Sequence, residues 1–374
     1  MKNLVPFLIV FGFWACQPNE THTTTSEPNV GIVQYAERFS IESMEGYRII
    51  TVNQPWQGNE DALTYMIYDD SIPEGEAYHH FIPIKYPVNS LVSNSTTHLS
   101  FLEILGVEEK LKGFAQTQYI YSSKINQLLD AQHMVEIGSE GKIDVEQVLN
   151  LKADIVLAFV ARGENRQLEK LQELGQTIVL TPDYMENTVL GRAEWIKFVG
   201  YLTGKEKESE AYFDQVVLAY DSLLAMVTEV NRPTVYSGTL YGGTWFMPAG
   251  NNYNGMMIND AGGNYLWSDD QGNGWLNLDF EAVYAKAHDA DFWIGAANYE
   301  SLADIVAADE RYADFKAFKT GQVYTYTKRS TANGGNDYFE SGNANPHLLL
   351  ADHIKILHPE LLPDYELYYY KKLE

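Results

Sequence analysis

A similar stretch of sequence occurs once in each half of this chain of 374 residues. The first stretch runs from Asp144-Val145-Glu146 to the apolar residues 155–158, and the second runs from Asp279-Phe280-Glu281 to the apolar residues 292–294. In both, the aspartate can cap a helix by accepting a first-turn backbone N–H, and the glutamate lies where the helix dipole favours a carboxylate. The pattern predicts a capped helix followed by a buried strand in each half, and therefore two similar lobes.

Charge and aromatic content narrow the choice of partner. The net charge of -25, from 26 Lys and Arg against 51 Asp and Glu, opposes binding to nucleic acid or to an anionic membrane surface, because contacts to phosphates would begin from long-range repulsion. Aromatic residues make up 13% of the chain, including 26 tyrosines. This is more than cores usually require, and surplus Tyr and Trp often line binding clefts.

The first residues have the pattern of an export signal. Lys2 provides a positive charge, residues 4–14 form an apolar stretch too short to span a bilayer, and Ala15 precedes Cys16, the only cysteine. Residues 1–15 resemble a lipoprotein signal peptide, in which Cys16 is lipidated after cleavage. The resemblance implies a periplasmic protein of the cell envelope that is attached to a membrane only through its lipid. The alternative is an ordinary secretory signal, which would leave an exported chain with one unpaired thiol.

Composition and periodicity divide the remaining chain into four parts. Residues 16–45 begin with a polar, Thr-rich stretch and are predicted to be a flexible tether. Residues 46–204 and 232–374 alternate strand and helix patterns, which favours an α/β fold with two lobes of mostly parallel sheets flanked by helices. Residues 205–231 carry an apolar stripe at helical spacing and predict one long, rigid helix that joins the lobes, about 39 Å long at ~1.5 Å per residue.

Two segments have no role in this scheme. Alternating residues predict paired strands over residues 47–68, before the α/β pattern begins. An insert over residues 264–277 is rich in Gly, Asn and Asp and is longer than a simple connection needs. It approaches the pattern of a calcium-binding loop, but Phe280 stands where the bidentate glutamate belongs.

The order of these features resembles the solute-binding proteins of bacterial ABC importers for iron-siderophores, haem and cobalamin. The likeness covers about residues 91–361 and includes a strand followed by residues 95–98, then residues 137–139, the two Asp-x-Glu helices and the long helix between them. It implies that the protein binds a small-molecule metal chelate in a cleft between two lobes and delivers it to an ABC-transporter permease dimer. The chelate is cargo, so the resemblance implies neither a cofactor nor enzymatic activity.

The resemblance also gives a role to the glutamates of the repeated stretch. In that family, one surface glutamate on each lobe pairs with arginines of the permease dimer, and these positions correspond here to Glu146 and Glu281. A rigid joining helix would hold the two carboxylates at a fixed spacing. The alternative is that both carboxylates only complement helix dipoles, which contributes roughly 0.3–1 kcal/mol each.

The candidate ligand-binding residues follow from a rule for open α/β sheets, in which ligands bind beyond the carboxyl ends of the strands. Aromatic walls with a few cations suit a large, polarisable, partly anionic ligand such as an iron chelate or tetrapyrrole. Ordinary packing is the alternative role for each residue. The predicted ligand-binding residues are His98, Tyr119, Arg162, Tyr241, Trp245, Met247, Trp275, Arg329 and Tyr338, with Thr96, Thr97 and Tyr121 beside them.

Two other functions remain open from the sequence. An exported lipoprotein hydrolase could use carboxylates scattered along the chain, although the sequence has no His-Glu-x-x-His, Gly-x-Ser-x-Gly or phosphate-cradling Gly-rich motif. A binder of a bare metal ion would need several histidines in the cleft, and only His98 lies at an expected position. We therefore predict neither catalytic residues nor a metal site formed by the protein alone.

Overall fold

The computed structural model describes residues 31–138, 142–161 and 165–374. The predicted signal peptide, Cys16 and the first part of the predicted tether lie outside these residues. Within the described ranges, no helix combines the length and the apolar character that crossing a membrane requires.

A four-stranded sheet, here called the N-terminal sheet, precedes the two lobes. Its strands lie in chain order: β1 (Phe39–Met44), β2 (Tyr47–Asn53), β3 (Ala62–Tyr68) and β4 (Ile82–Lys85). β2 and β3 pair antiparallel, which confirms the paired strands predicted over residues 47–68. β1 lies inside the predicted tether of residues 16–45, so the folded chain begins earlier than expected. The reason is that Phe39 and Ile41 alternate into the core.

The first lobe contains a parallel sheet with the strand order β7-β6-β5-β8-β9. Its strands are β5 (Leu91–Ser93), β6 (Leu111–Phe114), β7 (Val135–Glu136), β8 (Ile155–Ala158) and β9 (Ile178–Leu180). Parallel neighbours need crossover connections, and four helices connect or flank these strands. They are α1 (Thr96–Ile104), α2 (Ser123–Asp130), α3 (Val145–Leu151) and α4 (Arg166–Glu173). Two further helices follow, α5 (Val189–Thr203) and α6 (Glu206–Met226).

The second lobe contains two sheets. The strands are β10 (Thr234–Tyr236), β11 (Thr239–Tyr241), β12 (Thr244–Pro248), β13 (Asn264–Tyr265), β14 (Trp275–Leu278), β15 (Phe292–Ile294), β16 (Val323–Thr325) and β17 (Lys371–Lys372). The main sheet has the order β13-β10-β15-β16-β17 and is parallel except at β17, whereas β11-β12-β14 form an antiparallel sheet. The helices are α7 (Tyr253–Asp260), α8 (Phe280–Ala287), α9 (Leu302–Ala308), α10 (Lys316–Lys319), α11 (Asp337–Glu340) and α12 (Pro346–Leu357).

The repeated stretch of sequence forms the same unit in both lobes. The Asp144 carboxylate caps α3 by accepting from the Gln147 backbone N–H at 3.0 Å, and α3 leads to the buried strand β8. The Asp279 carboxylate caps α8 by accepting from the Ala282 backbone N–H at 2.6 Å, and α8 leads to β15. The predicted capped helix and buried strand are therefore confirmed twice.

Helices α5 and α6 lie between the two lobes. α5 is buried on nearly all sides, as expected of a helix without a polar face, and it contacts α1 of the first lobe and α7 and α12 of the second. α6 packs along α5 and α12, and its Tyr212 and Tyr220 hydroxyls donate to side-chain oxygens of the second lobe, both at 2.6 Å. α6 coincides with the predicted joining helix of residues 205–231 but ends at Met226. The sequence predicts only this one helix between the lobes and places residues 189–203 in the first lobe. In the structure these residues form α5, so two helices join the lobes.

Candidate functional site

A cleft of about 1060 Å³ lies between the two lobes. On the first-lobe side, its wall includes residues 95–97, Phe159 and residues 183–186, which follow β5, β8 and β9. Because these strands are parallel neighbours, their carboxyl ends meet at one edge of the sheet. The cleft is therefore at the place where open α/β sheets bind their ligands.

The opposite wall of the cleft belongs to the second lobe. Phe246 of β12, Trp275 of β14 and Tyr338 of α11 line the cleft, together with residues 252–254 at the start of α7. Trp275 is also part of the Gly-, Asn- and Asp-rich insert of residues 264–277. One end of this insert therefore forms part of the cleft wall.

Two smaller pockets extend the cleft. A pocket of about 180 Å³ lies in the second lobe and shares Phe246, Trp275 and Tyr338 with the cleft. A pocket of about 270 Å³ on the first-lobe side shares Phe159 and Phe339 with it. The three spaces therefore adjoin one another, and we describe them together as the candidate site.

Large aromatic side chains are exposed around this site. Trp275 is 55% exposed and Tyr241 is 79% exposed, and Tyr119, Phe246 and Phe339 also have large exposed fractions. Single apolar side chains on a protein surface are ordinary, but a concentration of them in one concave region marks a binding surface. The walls are therefore suited to a ligand with flat, apolar or aromatic parts.

Charged residues lie on the first-lobe side of the cleft. Burial raises the pKa of the Asp183 carboxyl to about 6, although the neighbouring Arg192 guanidinium and a hydrogen bond from Thr97 act in the opposite direction. Arg192 donates from Nη2 to the Tyr184 carbonyl at 2.7 Å, and its guanidinium lies 4.5 Å from the centre of the Tyr253 ring. Its Nε is buried and has no hydrogen-bond partner among the described residues. Buried donors without a partner are rare in native proteins, and this one belongs to a residue that lines the cleft.

Several of the predicted ligand-binding residues line the cleft or its pockets. The position of Tyr338 is fixed, because its hydroxyl donates to Asn254 Oδ1 at 2.8 Å. That these residues contact a ligand stays a prediction. The predicted residues that line these spaces are Thr96, Thr97, Tyr119, Tyr241, Trp275 and Tyr338.

Trp245 and Met247 require a correction, because both side chains are fully buried in the core of the second lobe. The Trp245 indole N–H donates to the Ser237 carbonyl at 3.0 Å, which satisfies it inside the protein. Successive side chains along a strand point to opposite faces. In β12 the residue between these two, Phe246, therefore faces the cleft.

His98 also requires a correction, because it lies in the core of the first lobe rather than in the cleft wall. Its Nδ1 and Nε2 each form a hydrogen bond of 2.7 Å, with the hydroxyls of Ser93 and Thr181 respectively. Burial lowers the pKa of the imidazole to about 3, so the ring is neutral at physiological pH. His98 therefore connects α1 to the segments around β5 and β9.

Arg329, one of the two predicted cationic ligand contacts, is not found in the cleft wall. Arg329 donates from Nε to Asp337 Oδ2 at 2.5 Å, and its guanidinium lies 4.2 Å from the centre of the Tyr368 ring and 5.2 Å from that of Tyr121. Arg329 is thus engaged by protein groups and does not line the cleft. Arg162 lies outside the described residues.

The sequence predictions do not include the cleft residues Asp183 and Arg192. Asp183 follows β9 after Thr181 and Pro182. Since ligands of open α/β sheets bind beyond the carboxyl ends of the strands, the same rule could have identified Asp183 as a candidate ligand-binding residue. Arg192 lies near the start of the buried helix α5, and no local pattern distinguishes it from a surface arginine.

Glu146 and Glu281, the predicted docking residues, are both exposed near the starts of α3 and α8. The Glu281 side chain is 76% exposed, and its Oε1 lies 3.4 Å from Nη1 of Arg311. Exposed ion pairs of this length are weak and exchange readily with solvent or with another partner. Both carboxylates are therefore accessible from outside the protein.

No group of three or more His, Cys, Asp or Glu side chains is arranged to hold a metal ion in the part of the chain that the structure describes. Within the insert, Asp269 lies 3.4 Å from the Lys286 ammonium, and the Asp270 carboxylate accepts from the Gly272 backbone N–H at 2.8 Å. Both aspartates are therefore engaged by groups of the protein.

A buried carboxylate connects the two lobes beside the cleft. Glu340 of α11 accepts hydrogen bonds from the backbone N–H groups of Tyr121 and Ser122 in the first lobe, at 2.7 and 2.9 Å. Burial, together with the smaller effect of the nearby Asp337 and Glu103 carboxylates, raises the pKa of the Glu340 carboxyl to about 7, although these two hydrogen bonds act in the opposite direction. This contact between the lobes therefore titrates near neutral pH.

The raised pKa of Glu340 predicts a pH dependence of stability. Between its ordinary value near 4.5 and its folded value of about 7, the folded state holds a proton that the unfolded state has released. The free energy of unfolding should therefore fall as pH rises through this window. We expect Glu340→Gln, which imitates the protonated side chain, to remove part of this fall when Tm is measured from pH 4.5 to 7.5. The exposed Glu360→Gln serves as the control and should keep the wild-type slope, and an identical slope in all three proteins would contradict the assignment.

The fold has counterparts among known proteins. A family model described as periplasmic binding protein matches residues 91–330. An uncharacterized lipoprotein of Methanocaldococcus jannaschii is 30% identical over 95% of this chain and 91% of its own length.

Two solved structures are similar at low sequence identity. A periplasmic heme binding protein from Pseudomonas aeruginosa has a TM-score of 0.54 and 20% identity, covering 77% of this chain and 98% of the other. A molybdate periplasmic binding protein from Haemophilus influenzae has a TM-score of 0.57 and 16% identity, covering 76% of this chain and 90% of the other. Likeness at these identities concerns the fold alone.

Proposed function

The chain belongs to the periplasmic binding protein family, and from this premise we propose that it captures an organic metal chelate between its lobes and delivers it to an ABC-transporter permease. Members of this family are solute-binding proteins rather than enzymes, which removes the hydrolase hypothesis. The observation that carries the proposal is the cleft of about 1060 Å³ between the lobes, whose walls combine exposed aromatic rings with the Arg192 guanidinium.

The size and the lining of the cleft favour a large ligand with both apolar and anionic parts. Pockets for small-molecule ligands are commonly about 300–1,000 Å³, and this cleft is at the upper end. Trp275, Phe246 and Phe339 offer surfaces to flat or apolar groups, whereas Arg192 offers donors to an anionic group. Iron-siderophores, haem and cobalamin have both kinds of group. A small oxyanion such as molybdate, which a protein of similar fold binds, would leave the aromatic walls uncovered.

Docking onto the permease is assigned to Glu146 and Glu281. Each is an exposed carboxylate near the start of a helix, and the same helix–strand unit presents it on each lobe. Helices α5 and α6 connect the lobes and would maintain the spacing of the two carboxylates. Arginines on the two halves of the permease are the complementary partners.

Attachment to the membrane is assigned to a lipid on Cys16. The sequence around Cys16 resembles a lipoprotein signal, and a relative that matches most of this chain carries the name lipoprotein. The folded lobes would then remain in the periplasm close to the permease.

The first test is the identity of the cargo. The natively expressed protein should carry a coloured small molecule, identified by its absorption spectrum and mass, because iron chelates, haem and corrinoids all absorb visible light. The ligand-free protein should then be titrated with haemin, cyanocobalamin and a ferric tris-catecholate. We expect one of these probes to saturate the protein with a spectral shift. Failure of all three, together with a colourless native protein, would contradict the proposed ligand class.

The second test concerns the aromatic wall. Trp275→Ala should weaken binding of the selected chelate roughly tenfold, since aromatic contacts contribute about 0.5–1.5 kcal/mol beyond the area that they bury. Leu218→Ala is the matched control, because Leu218 is an exposed apolar residue on α6, 68% exposed and outside the cleft. Equal affinity of wild type and Trp275→Ala by calorimetry would remove Trp275 from the binding site.

A further inference from the structure

The N-terminal sheet contributes a third wall to the cleft. Arg38 before β1, Gln54 after β2, and Gln57 and Gly58 between β2 and β3 line the same space as the two lobes. All four residues precede the segment of residues 91–330 that matches the family model. This wall therefore lies entirely outside the matched segment, whereas most of the residues of the other two walls lie inside it.

Two buried carboxylates hold the chain in place where it enters this wall. Glu194 of α5 accepts hydrogen bonds from the backbone N–H groups of residues 34–36, with its shortest contacts at 2.7, 2.8 and 2.9 Å. Glu186 accepts from the backbone N–H groups of residues 37–38, at 2.8 and 3.0 Å. Hydrogen bonds to charged acceptors are roughly twice as strong as neutral ones. Five consecutive donors are held in this way, so the backbone of Arg38 has a fixed position beside the cleft.

The side chain of Arg38 keeps donors available to a ligand. Its Nη1 donates to the side-chain oxygen of Gln54, whereas its Nε is buried and has no hydrogen-bond partner within the described ranges. The Glu186 carboxylate is already engaged by two backbone N–H groups and by the Trp195 indole N–H at 2.9 Å.

Gln54 has a φ of 51°, in the left-handed region that only glycine adopts freely. Strained residues of this kind are often found at binding sites.

We propose that Arg38 and Arg192 together bind an anionic group of the ligand at the N-terminal wall of the cleft. Both side chains line the cleft, both interact electrostatically with the Glu186 carboxylate, and both have a buried Nε that no described group accepts from. The planar guanidinium presents parallel N–H donors, which match a carboxylate or a similar oxygen-bearing anion. This inference rests on the proposed function. It specifies further that an anionic group is the part of the ligand that the N-terminal sheet recognises.

Because the whole protein is strongly negative, binding of an anionic group depends on the local positive charge of Arg38 and Arg192. A net charge of -25 repels an anion that approaches from solvent. Inside the cleft, the carboxylates of Asp183 and Glu186 offset the two arginines. Removal of one arginine therefore leaves an excess of negative charge where the anionic group would bind.

The test uses the whole chain and citrate as a probe of the anion site alone. We compare wild type, Arg38→Gln and Lys85→Gln by calorimetry, because Lys85 is an exposed cation in β4 of the same sheet and does not line the cleft. Citrate affinity should fall roughly 10- to 100-fold in Arg38→Gln, as expected for a lost hydrogen bond to a charged group. It should be unchanged in Lys85→Gln, and Arg38→Lys should retain part of it. Backbone hydrogen bonds of residue 38 do not depend on the side chain, and Tm verifies folding.

Each outcome separates this inference from the proposed function. Equal citrate affinity in wild type and Arg38→Gln, or no citrate binding to wild type, overturns the inference even if haemin, cyanocobalamin or the ferric tris-catecholate binds. Equal losses in Arg38→Gln and Lys85→Gln also overturn it, because they indicate an effect of net charge alone. Citrate binding that depends on Arg38, in a protein that binds none of the three chelates, supports the inference and contradicts the proposed ligand class.

Discussion

The double variant Glu146→Arg with Glu281→Arg is expected to bind its chelate with wild-type affinity and to support no uptake. Both side chains are exposed and lie outside the cleft, so ligand binding does not involve them. Reversing both charges replaces the proposed attraction to permease arginines by repulsion, and like charges facing each other across an interface cost several kcal/mol. Uptake of a radioactive chelate by cells that carry the variant as their only copy measures the effect.

The control for this experiment reverses the same number of charges elsewhere. Glu169 in the first turn of α4 and Glu360 after α12 are exposed, and each belongs to a different lobe. Glu169→Arg with Glu360→Arg should transport as wild type does. If uptake survives the reversal of Glu146 and Glu281, the docking assignment is wrong. If the control pair also abolishes uptake, the effect is one of net charge.

Glu194→Ala is expected to lower the free energy of unfolding by about 3–5 kcal/mol, the usual cost of leaving a buried charge without its partner. Glu194 is completely buried, and its Oε1 lies 2.8 Å from the ammonium of Lys197, which is 3% exposed. The substitution leaves that ammonium without its counter-charge and removes the acceptor for the backbone of residues 34–36. Urea denaturation measures the loss.

A second Lys–Glu pair with the same spacing on a helix provides the control for Glu194→Ala. Lys205 and Glu208 are also 2.8 Å apart, but the Glu208 side chain is 54% exposed. Glu208→Ala should leave the midpoint of denaturation nearly unchanged, because exposed pairs contribute little. Lys197→Met added to Glu194→Ala should recover part of the loss. A loss from Glu194→Ala as small as that from Glu208→Ala would refute the role assigned to the buried pair.

The repeated helix–strand unit could be predicted from the sequence because its signals are local. Asp144 and Asp279 cap helices whose first turns follow them directly, and the apolar strands come within a few residues of each helix end. The same holds for the alternating strands β2 and β3. Capping, periodicity and alternation all act over a few residues, so a single sequence contains the information.

The cleft could be predicted only in part, because its side chains depend on orientation and on distant partners. An apolar strand such as β12 does not show which face will be buried, so Trp245 and Met247 are predicted for the cleft in place of Phe246. The hydrogen bond from the Gln34 backbone to Glu194 spans 160 residues of sequence. No local pattern indicates such a contact, and the third wall of the cleft depends on it.

The alternation of side chains along β12 has a consequence for how this protein can adapt. Trp245 and Met247 build the interior of the lobe, whereas Phe246 is 38% exposed and lines the cleft. A substitution at Phe246 therefore changes the surface that the lobe presents to the cleft and leaves the two buried neighbours in place. Evolution can therefore vary the cleft-facing surface at this strand position separately from the core of the lobe.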